Sequence, residues 1–187
     1  MNIGGYRFMA NLDLVIKKAL DMGFCVASKL DCSTIKLMPE VREMCASNKC
    51  NQYDKNWACP PACGTLEECE QRIKNYKVGI IVQTIGELED SMDFESMVEI
   101  EKKHKSLFLK FSDEIKKEYN KVLSLGVGSC IKCKKCTYPD EPCRFPKNRL
   151  SSMEAYGMLV SQICADNNVK YYYGPNTLTY TSCFLID

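Results

Sequence analysis

A chain of 187 residues, 45% hydrophobic, is long enough to bury a core without a metal to hold it together, and is expected to form one domain or two small ones. Its 25 basic and 24 acidic residues leave a net charge of +1, so no global argument for nucleic acid or an anionic membrane exists. Thirteen cysteines in a chain too long for a small disulfide scaffold, with no signal sequence read in its opening residues, point to a reducing cytoplasm and to thiolates as metal ligands.

Residues 11–22 carry Leu12, Val15, Ile16, Ala19 and Leu20 at helical spacing before Gly23, which predicts a short amphipathic helix. Short apolar runs at 24–26 and 33–37 predict two small strands. Pro39 leads into the first group of cysteines. Thr65 and Glu68 form a capping-box pattern that opens a helix over LEECEQRIKNY. Residues 77–85, KVGIIVQTI, predict a central strand buried on both faces. The longest clean apolar run, within that strand, is far too short to cross a bilayer.

A long helix is predicted from about residue 92 to residue 123, with Phe94, Met97, Ile100, Phe108, Phe111 and Ile115 mostly at three- and four-residue steps. Gly126 and Gly128 end it. Ser151 and Glu154 read as a second capping box, opening a helix to about residue 165. Strands at 169–173 and 178–186 flank Gly174-Pro175-Asn176 and predict a β-hairpin. No linker divides the chain, and the cysteine groups differ too much in spacing to be repeats. The expectation is a single α+β domain over residues 1–187 with a small mixed or antiparallel sheet, a long helix and two cysteine-rich metal-binding loops, at 45–63 and 130–143.

Cys130, Cys133, Cys136 and Cys143 form the sharper group. Two-residue gaps let three successive thiolates curl around one point, as in ferredoxin-type loops, and the fourth follows in PCRFP. Structural zinc more often takes two separated pairs, so a 4Fe-4S cluster is favoured over zinc. The ferredoxin pattern places its fourth cysteine three residues on and directly before proline; here the gap is six residues and Arg144 intervenes. Lys132, Lys134, Lys135 and Arg144 are placed to offset thiolate charge, or simply to solvate the loop. Gly126, Gly128 and Ser129 are placed to aim backbone N–H groups at cluster sulfurs.

Cys45, Cys50, Cys59 and Cys63 form the other group, whose spacing fits either a cluster or zinc. Pro60 and Pro61 stiffen the chain beside Cys59. Tyr53 and Trp57 serve either to shield a metal or to pack a core. Cys25, Cys32, Cys69, Cys164 and Cys183 stand apart; Cys164 and Cys183, in a predicted helix and strand, read as small buried hydrophobes, and Cys69 is near enough to Cys63 to be a spare ligand. His104 is the one histidine and reads as structural, which removes His-based triads and His-rich zinc sites. No phosphate-binding loop, dinucleotide fingerprint or nucleophile elbow occurs.

Cys45, Cys50, Trp57, CPPACG at 59–64 and CIKCKKCTYPDEPCRFP at 130–146, followed by Ser152, Glu154, Ala155 and Gly157, resemble a family of predicted cysteine-rich metal-binding proteins of anaerobic bacteria and archaea. The resemblance covers most of the chain beyond Thr34. It implies a cytoplasmic metal-binding protein, iron–sulfur in character, and no settled reaction.

The leading expectation is an iron–sulfur protein with two 4Fe-4S clusters that exchanges single electrons with a redox partner protein, without nucleic acid or membrane. Two alternatives stay open. One is a zinc-stabilised, non-redox interaction module. The other is an enzyme in which one cluster keeps an open iron as a Lewis acid for a small substrate.

Overall fold

The computed structural model describes residues 11–187; residues 1–10, where no signal sequence is read, lie outside them. Four antiparallel strands, β1 (Val26–Asp31), β2 (Val78–Glu87), β3 (Val122–Leu125) and β4 (Thr177–Ile186), form one sheet in the order β1-β2-β4-β3. Among the described residues five α-helices complete the α+β fold: α1 (Leu12–Asp21), α2 (Pro39–Ala46), α3 (Leu66–Ile73), α4 (Phe94–Glu118) and α5 (Val160–Asp166).

The continuous apolar run of β2 has a direct explanation. Successive side chains on a strand point to opposite faces, and both faces of this sheet are covered. Ile80 and Val82 pack with Val15 and Ala19 of α1 and with Phe108 and Phe111 of α4. Ile81 packs on the other face with Ile73 of α3 and Ile163 of α5. All three β2 side chains are fully buried, which contributes about 1.5–3 kcal/mol each as an upper bound. β4 repeats the arrangement, with Phe184 and Ile186 on the α4 side and Cys183 and Leu185 on the α5 side. Pairing of β2 with β4 runs from Val78–Ile186 to Glu87–Thr177, so the two longest strands form the centre of the sheet.

Helix starts follow local chemistry. The Asn11 side chain caps α1, and Asp93 caps α4 by accepting from Ser96 N at 3.1 Å. Thr65 and Glu68 form a complete capping box: Thr65 Oγ1 accepts from Glu68 N at 3.2 Å, and Glu68 Oε2 accepts from Thr65 N at 3.0 Å. His104 of α4 is fully buried, between Thr84 at Nδ1 (2.8 Å) and Ser182 at Nε2 (2.7 Å). Burial lowers its pKa to about 4, so it is a neutral, hydrogen-bonded element of the core.

Five predicted elements differ. The two short strands at 24–26 and 33–37 are instead one strand, β1, followed by a 3-10 turn at Cys32–Thr34 in which Asp31 accepts from Ser33 N. The long helix stops at Glu118, and its last predicted turn is β3: β-branched Val122 and its neighbours gain a partner strand in β4. The Ser151/Glu154 pattern does not open a helix. Ser152, not Ser151, accepts from Ala155 N, over a single 3-10 turn at Glu154–Tyr156, and α5 begins only at Val160. Residues 169–173 form no strand; both edges of β4 are already taken by β2 and β3. No helix among the described residues is long and apolar enough to cross a membrane.

Candidate metal centres

The first cysteine loop joins α2 to α3 and has almost no regular structure. Short polar side chains shape it. Asn48, Asn51 and Asp54 take left-handed backbone conformations at φ 54°, 59° and 55°, which Asn and Asp tolerate better than other side chains. Asn48 Oδ1 accepts from Tyr53 N, and Asn56 Oδ1 accepts from both Ala58 N and Cys59 N, each at 3.0 Å. These bonds fix Cys59 from the main-chain side.

The second loop runs from β3 to the 3-10 turn at Glu154–Tyr156. Gly126 anchors its start: Gly126 N donates to Ser151 O at 2.9 Å, and Met153 N donates to Gly126 O at 3.1 Å. From residue 127 to residue 149 it is partly or fully exposed and has no apolar core of its own. A few local bonds cross it, including Thr137 Oγ1 to Pro142 O at 2.9 Å and Arg144 Nη1 to Lys135 O at 3.0 Å.

All four cysteines of the second group, Cys130, Cys133, Cys136 and Cys143, line one cavity of about 190 Å³. Lys132, Lys134, Arg144 and Arg149 line it too, so cations surround the position where thiolate charge would collect. Asn56 and Trp57 reach in from the first loop. Arg149 is a wall residue for which the sequence offers no signal beyond its charge.

Three cysteines of the first group, Cys45, Cys50 and Cys59, line a separate cavity of about 310 Å³. Tyr53 and Pro60 form part of its wall. Gly128 and Ser129, expected beside the second group, stand here instead, because the chain leaving β3 passes over the first loop before it reaches Cys130. Lys49, Ser152 and Glu154 add polar groups to a mostly apolar wall. The Ser151/Glu154 cap pattern concealed Glu154 as a site residue.

Burial lifts the Cys45 thiol to about 11, and the neighbouring Glu154, Cys50 and Cys59 add to the rise. Cys59 is also raised, chiefly by burial, with the Asn56 bond opposing and Cys50, Cys63 and Cys130 contributing. So many potential anions in one place favour a cation, and a metal displaces thiol protons on binding. Glu154 lines the cavity, and burial raises its carboxyl above the usual range.

Cys63 sits differently. It is fully buried outside the first cavity, against Arg42 Nη1 at 3.6 Å, Ala155 O at 3.4 Å and the thiol of Cys69. The Cys69 hydrogen bond, then Arg42 and Arg149, bring its pKa down to about 7 against the cost of burial, while Cys69 is raised. Arg42 is itself pinned by Ala155 O and Gly64 O, each at 2.6 Å.

Cys32, Cys69, Cys164 and Cys183 are buried in the core, and Cys25 is exposed at the edge of β1. All thirteen cysteines are free thiols. Among the described residues, no three His, Cys, Asp or Glu side chains are gathered tightly around one point; the thiols stand around cavities.

The two cavities adjoin. Gln52 lines both, Cys130 follows Ser129 of the first wall directly in sequence, and Cys130 is near enough to Cys59 to act on its charge. Tyr138 of the second loop bonds through its hydroxyl to Asp54 of the first and stacks edge-on against Trp57, with centroids 4.9 Å apart.

No curated protein and no solved structure matches the chain. A family model described as predicted metal-binding protein (DUF2284) matches residues 28–186, which include both cysteine loops and all four strands but the first two residues of β1. The chain therefore belongs to the DUF2284 family of predicted metal-binding proteins.

Proposed function

We propose that the protein holds two adjacent iron–sulfur clusters and passes single electrons to or from a partner protein in the cytoplasm. The observation that carries this reading is the set of four cysteines around one cavity in a loop with no apolar core of its own. A stretch this long without regular structure needs something to order it, and soft thiolate donors select zinc, copper(I) or iron–sulfur clusters. One four-coordinate zinc draws its sulfurs to about 2.3 Å from a single point. Thiols that stand apart around a cavity suit a larger group better.

The donor sets fit. Cys130, Cys133, Cys136 and Cys143 would hold the second cluster, and Cys45, Cys50 and Cys59 the first. When bound, such clusters supply one-electron redox chemistry at a potential set by charge, hydrogen bonds and solvent access. The chain's own residues set those conditions. Lys132, Lys134, Arg144 and Arg149 favour added negative charge at the second centre and thus raise its potential. Glu154 places a carboxyl beside the first and lowers its potential when ionised. Trp57, with Tyr138 edge-on against it, and Pro60 limit access of water. The shared Gln52 wall keeps the two centres adjacent, which is the arrangement electron exchange between them requires. The exposed Lys134 and Lys135 offer positive charge to an acidic partner.

The test is anaerobic purification with iron and acid-labile sulfide assays, then dithionite reduction followed by electron paramagnetic resonance. The expected result is about eight iron and eight sulfide per chain and a reducible signal. Zinc without sulfide at both sites would replace this reading with a structural, non-redox one.

A further inference from the structure

The two cysteine groups are not equivalent in the folded chain. Four thiols face the second cavity, but only three face the first. The missing fourth thiol, Cys63, is enclosed elsewhere. Its sulfur touches Ala155 O at 3.4 Å, Arg42 Nη1 at 3.6 Å and Gly64 O at 3.9 Å, and it bonds to the Cys69 thiol. The guanidinium of Arg42 meets it with positive charge and is locked by two carbonyls at 2.6 Å. Arg72 closes the other side, donating to Cys63 O at 2.7 Å and resting 4.0 Å from the Cys69 sulfur. Cys63 thus has a complete set of partners without a metal.

Size points the same way. The first cavity holds about 310 Å³ against about 190 Å³ for the second, a difference of about 120 Å³. That excess equals roughly four water volumes of about 30 Å³ each. A cavity with fewer thiols is therefore the larger one. Its wall is mostly apolar, and the polar groups set in it include Ser129, Ser152, Glu154 and Lys49.

We propose that the first centre is held by three thiolates, Cys45, Cys50 and Cys59, with Cys63 outside the ligand set, so that one iron faces the free part of the cavity beside Glu154 and takes a small oxygen-donor ligand there. Water fills the position when no other donor is present. Glu154 and Ser152 accept hydrogen bonds from that ligand, and Cys63, Cys69 and the two arginines form a rigid wall behind Ala155. The proposal rests on the iron–sulfur reading and makes one centre an electron carrier and its neighbour a binding site.

Iron and acid-labile sulfide are measured in Cys63→Ala and Cys59→Ala, with circular dichroism to establish that each is folded. Cys63→Ala is expected to keep the wild-type content, and Cys59→Ala to lose about half, because one of two centres goes. Equal loss in both folded variants overturns the proposal. If Cys63→Ala does not fold, wild-type protein supplies the second measurement. Electron–nuclear double resonance of the dithionite-reduced protein, after exchange into heavy water, should reveal a strongly coupled exchangeable proton at one centre. Its position should change in Glu154→Gln. No such proton at either centre overturns the proposal. The underlying reading fails separately, if wild-type protein binds metal without sulfide.

Discussion

The indole N–H of Trp57 donates to the backbone carbonyl of Glu141 at 3.0 Å, across 84 residues of sequence. With the Trp57–Tyr138 ring contact and the Tyr138–Asp54 bond, it clamps the two cysteine loops to each other. The loops are thus held to each other directly.

Trp57→Phe keeps an aromatic ring against Tyr138 and removes only the donor. We expect a loss of about 1 kcal/mol of stability, the net worth of one hydrogen bond, and faster release of iron from the second centre to a chelator. Release rates identical to wild type would show the clamp to be without consequence for metal retention.

Removing the metal should loosen the second loop specifically. Lys134, Lys135 and Arg144 are exposed there, and no apolar core holds the segment. Trypsin should cut the stripped protein first at these positions, while α4 and the sheet stay resistant. Equal resistance before and after stripping would mean that the loop is ordered by its own bonds.

Cys136→Ser should lower iron content by about half, whereas Cys183→Ala should leave it unchanged. Cys183 is fully buried in β4 among Ile81, Cys164 and Leu185, away from both cavities. Its loss leaves a small void costing on the order of 1 kcal/mol. Iron loss in Cys183→Ala would contradict the division between ligands and core thiols.

His104 makes stability depend on pH in a defined window. Its folded pKa is about 4 against an ordinary 6.5. Above 6.5 the ring is neutral in both states and the full stability is present. As the pH falls from 6.5 towards 4 the unfolded chain takes up the proton first, so stability drops, by up to about 3 kcal/mol in all. Denaturant midpoints of wild type and His104→Gln at several pH values isolate this from the carboxylates. The wild type should lose more than the variant as the solution is acidified; parallel curves would remove His104 as the cause.

Gly157 takes φ 85°, and a Cβ added there would lie 2.6 Å from Leu66 Cδ2. Its carbonyl also accepts from Met38 N at 2.8 Å, joining the Glu154 turn to the start of α2. Gly157→Ala should cost about 1–3 kcal/mol and disturb the first centre more than the second. Thermal unfolding, together with iron content, measures both.

Local chemistry that acts within a few residues is legible in the chain itself. The capping box at Thr65 and Glu68, the buried strand β2 and the body of α4 each follow from side-chain spacing, because each depends on neighbours three or four residues away or on alternation along one strand. The two cysteine groups are legible for the same reason: short spacings bring thiolates to one loop. Tertiary structure alone decides what depends on distant partners. Val122 and its neighbours become β3 because β4 offers an edge, although their apolar spacing continues that of α4. Ser152 and Glu154 become a cavity wall because the turn after the second loop packs against the first. Cys63 shares the spacing of its group, yet Arg42 of α2 and Cys69 of α3 hold its sulfur away from the first cavity. Spacing fixes which thiols are near in sequence, and packing of helices against the sheet fixes which way each one faces.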